Sequence, residues 1–253
     1  MTARLTLTPL PGMPAVAPGD DLAALHLAAA ERAGVRFRDG ALVVCQKVFS
    51  KAEGRLVDLS TVEPSWEALA LAREFAAFGK DARQIEVVLR ETKRIVRKGH
   101  GVLICETHHG FVCANAGVDL SNAPADDVAV LLPVDPDASA RRLRRELLAR
   151  GAEPPLAVVM TDTFGRPWRE GLVDVSIGSA GIAPVEDLRG SADLRGRELV
   201  VTTQATTDAL AAAAGLLMQK DSGIPAVWVE GLAIRGDGGL PDLLRDASTD
   251  LFR

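Results

Sequence analysis

Segments with the spacing of strands and segments with the spacing of helices are mixed along this chain of 253 residues without a regular alternation. Residues 41–49 and 156–160 are apolar and rich in β-branched side chains, which predicts two buried strands. Residues 101–106 and 110–114 flank a Thr-His-His-Gly turn and predict a hairpin. Since a doubly wound parallel sheet requires strands and helices to alternate, this order favours a mixed α+β fold.

The other expected elements are shorter, and neither a fixed-period repeat nor a linker divides the chain. Further strands are expected at residues 4–7, 128–132, 172–177, 198–204 and 226–229. Helices are expected to start near Asp21 and Pro64 and to cover residues 83–96, 139–150 and 208–218.

The composition excludes several classes of protein. Hydrophobic residues make up 47% of the chain and charged residues 25%, as in ordinary globular proteins. The net charge of −5, with no Tyr and only 4% aromatic residues, argues against a nucleic-acid partner, whose phosphates require a basic surface. No apolar run reaches the roughly 18 residues of a membrane span, and the N-terminal segment lacks the apolar run of a secretory signal. We therefore expect a cytoplasmic protein with no membrane partner.

The three cysteines, Cys45, Cys105 and Cys113, lie in apolar, strand-like runs. Cys105, His108, His109 and Cys113 could together form a zinc knuckle, since thiolates and imidazoles bind zinc. Their spacing lacks the Cys-x-x-Cys pair that is typical of structural zinc sites. Buried, reduced thiols are therefore the favoured interpretation.

Two acidic segments follow strand-like runs. Asp119 lies in the sequence Asn-Ala-Gly-Val-Asp-Leu-Ser-Asn, and Asp162 lies in Thr-Asp-Thr, with Arg166 and Arg169 after it. Carboxylates and hydroxyls suit Mg²⁺ or Mn²⁺ bound with a nucleotide phosphate, and arginines bind phosphate or carboxylate oxygens. Asx turns and a surface salt-bridge network are the alternative interpretation. The Walker phosphate loop, G-x-G-x-x-G, H-E-x-x-H and G-x-S-x-G motifs do not occur, so a nucleotide would need a different phosphate-binding arrangement.

A cluster of basic residues, Lys47, Lys51 and Arg55, surrounds the end of the strand-like run 41–49. Such a cluster is usually a solvated face. Lys47, however, interrupts a run that is otherwise apolar, and a buried lysine needs a partner. A phosphate group is one candidate for that partner.

These segments together resemble the coenzyme F420-0:L-glutamate ligase family, also called the F420 γ-glutamyl ligases. The matching stretches are Pro-Gly-Asp-Asp-Leu (18–22), Ser-Lys-Ala-Glu-Gly-Arg (50–55), His-Gly-Phe-Val-Cys-Ala-Asn-Ala-Gly-Val-Asp-Leu-Ser-Asn (109–122), Leu-Leu-Pro-Val-Asp-Pro-Asp-Ala-Ser-Ala (131–140), Thr-Asp-Thr-Phe-Gly-Arg-Pro-Trp-Arg (161–169) and Gly-Ile-Pro-Ala-Val (223–227). They occur in the family's order over most of the chain.

The resemblance implies an amide ligase that uses GTP. The γ-phosphate of GTP would activate the lactyl carboxylate of F420-0 as an acyl phosphate, and the amine of L-glutamate would attack it, with γ-linkages after the first addition. The resemblance also implies a pair of Mg²⁺ or Mn²⁺ ions, K⁺, and a homodimer of α+β subunits, each with two intertwined lobes. We expect a single domain over residues 1–253, without the C-terminal flavin-reductase-like domain of some relatives. A metal-dependent nucleotide phosphohydrolase is the alternative function, because the same acidic residues could hydrolyse GTP.

The family's site residues carry over to matching positions. Asp119 and Asp162 match the catalytic carboxylates that bind the first metal ion, Thr163 matches a ligand of the second, and Asn122 matches a GTP contact. The expected nucleotide cradle consists of Met13, Pro14, Ala15, Val16, Gln46, Lys47 and Lys51, followed by Met218, Gln219, Lys220, Asp221, Ser222, Gly223 and Ile224.

The chain departs from the family at two positions. Some members carry a Glu as a second-metal ligand in the loop where this chain has Gln219, Lys220 and Asp221. Either Asp221 takes the place of that ligand or Lys220 replaces the charge of the ion, and Asp221 is favoured because divalent ions prefer oxygen. Many relatives also have Arg where this chain has His108.

Overall fold

The computed structural model describes residues 4–251, and this part of the chain forms twelve strands and six α-helices. The strands are β1 (Thr6–Pro9), β2 (Arg38–Cys45), β3 (Leu56–Asp58), β4 (Thr92–Gly99), β5 (Val102–Thr107), β6 (Val112–Ala114), β7 (Val128–Val130), β8 (Glu153–Arg166), β9 (Arg169–Ala180), β10 (Val185–Asp187), β11 (Thr203–Ala205) and β12 (Ala226–Glu230). The helices are α1 (Leu22–Arg32), α2 (Gln46–Ala52), α3 (Trp66–Glu74), α4 (Ala82–Arg90), α5 (Pro136–Ala149) and α6 (Thr206–Gly215).

A five-stranded mixed sheet forms the centre of the main part, in the order β1-β12-β2-β8-β9. β2 and β8 run parallel, and the other neighbours are antiparallel. Leu42 and Met160 face a core that also contains Leu143 of α5, whereas Val43 packs on the opposite side with Leu210 of α6. Because both faces are covered, the central strands are apolar throughout rather than alternating.

A smaller part of the fold is formed by residues 56–130, between α2 and α5. It contains the three-stranded sheet β4-β5-β6, the short pair β3-β7, and the helices α3 and α4. Phe75, Ile85 and Leu103 belong to its own apolar cluster. Phe111 and Cys113 instead belong to the main core, so the two parts pack directly against each other.

The structure confirms the α+β class and the hairpin of β5 and β6. The predicted strand 41–49 is wrong after Cys45, because residues 46–49 form the first turn of α2. The apolar side chains of Val48 and Phe49 reach the main core from this helix, and that helical arrangement leaves Lys47 on the opposite, polar side.

Two other predicted boundaries are also wrong. The helix expected over 83–96 ends at Arg90, and Thr92 begins β4, which pairs with β5. The β-branched residues that follow Arg90 favour a strand, and the Thr92 hydroxyl donates to the Val88 carbonyl at the helix end (2.6 Å). The strand expected over 198–204 is reduced to β11, which pairs with β10.

The cysteines are free thiols, with Cys105 and Cys113 buried opposite each other on β5 and β6. Cys45 is only half-buried, so the prediction of buried, free thiols is confirmed for Cys105 and Cys113. No helix within residues 4–251 has the length and apolarity needed to cross a bilayer.

Candidate functional site

One open cavity of about 240 Å³ lies beyond the carboxyl end of β2 and beside residues 161–163 of β8. Most of the residues expected in the nucleotide and metal sites line its wall: Met13, Pro14, Ala15, Val16, Gln46, Lys47, Lys51, Asp119, Asn122, Asp162, Thr163, Met218, Gln219, Lys220, Gly223 and Ile224. These residues come from five separate parts of the chain. Asp221 and Ser222 are exposed and do not line the wall, so the structure does not bring the favoured second-metal ligand to the cavity.

The parallel pairing of β2 and β8 explains why two distant motifs meet. Cys45 and Thr161 are the last partners in the parallel pairing; β2 ends at Cys45, and β8 continues to Arg166 paired with β9. The residues that follow, Lys47 on α2 and Asp162 on β8, therefore start from adjacent positions. Ligands commonly bind beyond the carboxyl ends of parallel strands, and this cavity follows that rule.

Asp119 reaches the cavity from the smaller part of the fold. Its backbone is held by reciprocal hydrogen bonds with Val130 (3.1 and 2.8 Å). Its Oδ2 accepts hydrogen bonds from Lys47 Nζ at 2.7 Å and Ser121 Oγ at 2.9 Å. The Lys47 side chain is only 16% exposed, so Asp119 is the partner that this lysine requires. Burial opposes ionisation of Asp119, but the bonds from Lys47 and Ser121 hold its pKa below the ordinary value.

Asp162 also lines the cavity, but in a different electrostatic environment. Burial raises its pKa to about 7, and the nearby carboxylates of Asp119 and Asp174 add to the effect. The backbone N–H of Thr163 and the charge of Lys47 oppose it only in part. A carboxylate with so little compensation is a strong position for a cation, because a bound cation favours the charged form.

Asp174 on β9 is a cavity residue that the sequence analysis did not identify. It is the register partner of Thr163, whose hydroxyl donates to Asp174 Oδ1 at 2.6 Å. Burial raises its pKa, and the charge of Lys220 opposes that shift. Gly215 of α6 lies against Asp174 where any β-carbon would collide with the carboxylate. The available signal was an acidic residue between Val173 and Val175, in the middle of an apolar strand.

Two donors at the cavity lack partners among the described residues. Gln46 is buried; its Oε1 accepts from Ser50 Oγ at 2.6 Å, while its Nε2 has no acceptor. Lys51 makes neither a hydrogen bond nor an ion pair within residues 4–251, and burial lowers its pKa. Since a buried donor without an acceptor is costly, the Gln46 amide points to a ligand with acceptor oxygens, and the half-buried Lys51 lines the same cavity.

The donor set fits divalent ions that are completed by phosphate oxygens. Carboxylates and a hydroxyl are the ligands that Mg²⁺ and Mn²⁺ prefer. No three His, Cys, Asp or Glu side chains in the described part of the chain converge into a closed metal site.

The remaining sequence candidates lie elsewhere. Arg166 and Arg169 face each other at the end of the β8–β9 hairpin and do not line the cavity. Arg55 binds the Leu132 carbonyl and Glu91, which is a structural role. His108 is exposed, with Nε2 at 3.1 Å from the Arg90 carbonyl.

Comparison with known proteins agrees with this arrangement. Residues 12–231 match the profile of the family described as F420-0:Gamma-glutamyl ligase. The chain is 46% identical to a coenzyme F420:L-glutamate ligase of Methanothermobacter thermautotrophicus, over 98% of this chain and 99% of that protein. Proteins with the same name from Methanopyrus kandleri (46% identity, 98% of each chain) and Archaeoglobus fulgidus (40% identity, 99% of this chain and 97% of the other) match equally widely. The chain therefore belongs to the F420-0:gamma-glutamyl ligase family.

Proposed function

We propose that this ligase joins L-glutamate to F420-0 in a reaction driven by GTP. The observation that carries the proposal is the cavity itself, where Asp119, Asp162 and Asp174 face the unpartnered donors of Gln46 and Lys51. Acidic groups that bind divalent ions, beside donors that bind phosphate oxygens, suit phosphoryl transfer. The family match supplies the acceptor and the amino acid.

The proposed chemistry has two balanced steps. A carboxylate oxygen of F420-0 attacks the γ-phosphorus of GTP, the bond to the β-phosphate oxygen breaks, and GDP leaves. The amine nitrogen of L-glutamate then attacks the acyl carbon, the carbon–oxygen bond to phosphate breaks, and inorganic phosphate leaves as the nitrogen loses a proton. The activation is needed because a carboxylate has no adequate leaving group for amide formation.

The residues of the cavity would have different roles in binding the nucleotide and the metal ions. Lys51 would bind a phosphate oxygen, and the Gln46 amide would donate to the nucleotide. Lys47, fixed by Asp119 and Ser121, would hold the Asp119 carboxylate in place. Asp119 and Asp162 would hold one divalent ion and Thr163, beside Asp174, a second; bound ions would neutralise charge on the β- and γ-phosphate oxygens.

The loop after α6, residues 218–224, would form the wall of the first cavity on the side of the nucleotide. Asn122 Nδ2 donates to the Lys220 carbonyl at 3.4 Å, which links this loop to the Asp119 segment. Lys220 lines the cavity and its charge acts on Asp174. This placement supports Lys220, rather than Asp221, as the residue that compensates for the missing Glu. A requirement for K⁺ stays a prediction from the family.

A homodimer is part of the proposal. The apolar side chains of Leu194, Val200, Val201 and Leu216 are each at least 73% exposed, and a partner subunit would cover such apolar surface. Light scattering coupled to size exclusion should give twice the mass of the chain. A monomeric mass at micromolar concentration would contradict this part of the proposal.

The function is tested by incubating the protein with F420-0, L-glutamate, GTP and Mn²⁺, and by following products with mass spectrometry. We expect glutamylated F420-0 together with equal amounts of GDP and phosphate. Release of phosphate without glutamylated product, at the same rate with and without F420-0, would instead identify a nucleotide phosphohydrolase. No consumption of GTP would contradict both functions.

A further inference from the structure

A second cavity of about 220 Å³ adjoins the first on the side of the smaller part of the fold. It lies among the end of α3, α4, β5 and the segment after β6. Asp119 lines both cavities, so their boundary is the carboxylate at which the γ-phosphate is expected. A reactant held in this second cavity would therefore lie next to the transferred phosphoryl group.

The second cavity combines apolar walls with a few polar groups. Phe75, Ile85, Val88 and Leu103 provide apolar surface, and Lys80, Gln84 and Asn115 are the polar side chains. A pocket of this kind suits a small molecule with a short hydrocarbon part and charged ends.

Lys80 is the cation of this cavity, and no ion pair or hydrogen bond neutralises it within the described ranges. Its aliphatic part packs over Gly101, where a β-carbon would lie 3.3 Å from Lys80 Cε. Gly101 has a φ of +73°, a conformation that L side chains rarely adopt. The ammonium group is thus positioned at the cavity by a packed stem, without a protein anion to satisfy it.

The cavity wall also includes Asn115, which begins a segment of unusual backbone. Asn115, Ala116 and Gly117 have consecutive positive φ values of 50°, 51° and 73°. The side-chain oxygen of Asn115, Oδ1, accepts a hydrogen bond from the backbone N–H of Leu103 at 3.3 Å, which fixes this turn to β5. Strained backbone of this kind occurs preferentially at functional sites, and here it brings the chain from β6 to Asp119.

We propose that the second cavity binds the L-glutamate co-substrate, with Lys80 paired to one of its carboxylates; this inference rests on the proposed function. The methylene groups would contact the apolar walls, Gln84 and Asn115 would bind the remaining carboxylate oxygens, and the amine would face Asp119. That orientation directs the nucleophile toward the acyl carbon formed at the boundary of the two cavities.

The proposal is tested with Lys80→Met and Lys80→Gln, with the conservative Lys80→Arg as rescue. Lys98→Met is the matched control, because Lys98 is an exposed lysine that pairs with Glu74 outside both cavities. We expect Lys80→Met and Lys80→Gln to raise KM for L-glutamate by about tenfold or more, as expected for the loss of a charge-assisted contact. KM for GTP and for F420-0 should change by less than about twofold, and Lys80→Arg should recover most of the glutamate affinity.

Titration calorimetry with GTP provides a readout that does not depend on turnover. Unchanged GTP affinity in Lys80→Met shows that the fold and the first cavity are intact. An unchanged KM for glutamate in active Lys80→Met, or a rise in KM for F420-0 instead, would overturn the proposal. If the wild-type protein forms no glutamylated product, the proposed function fails first, and the two failures are therefore distinguished.

Discussion

The carboxylate of Asp162 is expected to weaken the folded protein while it enables the reaction. Its pKa rises from 3.8 to about 7 because the group is buried near two other carboxylates. Between these two pH values the folded state holds a proton that the unfolded state has lost, so stability falls as pH rises through this range. Asp162→Asn removes this pH-dependent loss of stability, and it also removes a proposed metal ligand. The variant should therefore be inactive and, without metal, more stable than the wild type above pH 7.

The size of the effect follows from the shift. A change of roughly 3 pKa units corresponds to about 4 kcal/mol at 1.36 kcal/mol per unit. Asp162 opens onto the cavity rather than being sealed from solvent, and its hydrogen bond from the Thr163 N–H is kept by Asn. We therefore expect about half of the full value, a gain of about 2 kcal/mol at pH 8 that disappears near pH 4.

Urea unfolding in EDTA from pH 4 to pH 8 measures this difference, and the ligation assay at saturating Mn²⁺ measures activity in parallel. Asp187→Asn is the matched control, since Asp187 is an exposed carboxylate outside the cavity whose pKa is lowered by Arg189. Added Mn²⁺ with GTP should stabilise the wild type more than Asp162→Asn. Near-wild-type turnover of Asp162→Asn, or equal stability of the two proteins at pH 8, would refute the reasoning.

Five other substitutions have defined outcomes. Lys51→Ala should raise KM for GTP and leave KM for glutamate almost unchanged, because GTP loses about 1.5–3 kcal/mol of binding free energy. An unchanged affinity for GTP in titration calorimetry would exclude a contact between Lys51 and phosphate. Lys220→Ala should shift the metal midpoint of activity, whereas Asp221→Ala should not, and the reverse result would restore Asp221 as the ligand. Asp174→Asn should weaken Mn²⁺ binding in the presence of GTP, and an unaltered Mn²⁺ titration would limit Asp174 to orienting Thr163. Burial lowers the pKa of His26 from 6.5 to about 4, so the unfolded state binds an extra proton and stability falls as pH decreases across that range. In urea unfolding, the free energy of unfolding of His26→Gln should fall by up to about 3 kcal/mol less than that of the wild type over this range. Parallel pH profiles of the two proteins would contradict this.

The residues at the cavity were predictable because each stands at an abrupt change of polarity. Asp162 follows the apolar run 156–160, and Lys47 interrupts another apolar run, so their chemistry is visible before their neighbours are known. That Lys47 pairs with Asp119 was not predictable, since 72 residues separate them and the contact depends on how the smaller part packs on the main sheet. Asp174 was missed because only its pairing with Thr163 brings it to the site.

The boundary errors have a common physical cause. Short apolar runs satisfy the spacing of a strand and of a buried helix alike, and tertiary contacts decide between them. Residues 46–49 become helical because Phe49 reaches the core from α2, and residues after Arg90 become a strand because β5 provides a partner. The second cavity was equally inaccessible to sequence reasoning, since its walls come from elements that meet only in the folded protein.

The proposed ligation depends most directly on the transfer of phosphate from GTP to a carboxylate of F420-0. That transfer is measured by labelling the F420-0 carboxylate with ¹⁸O and analysing the inorganic phosphate released during ligation by mass spectrometry. Formation of an acyl phosphate predicts one labelled oxygen in each phosphate, because the carboxylate oxygen that attacks phosphorus leaves with it. Unlabelled phosphate accompanying glutamylated product would contradict the central claim.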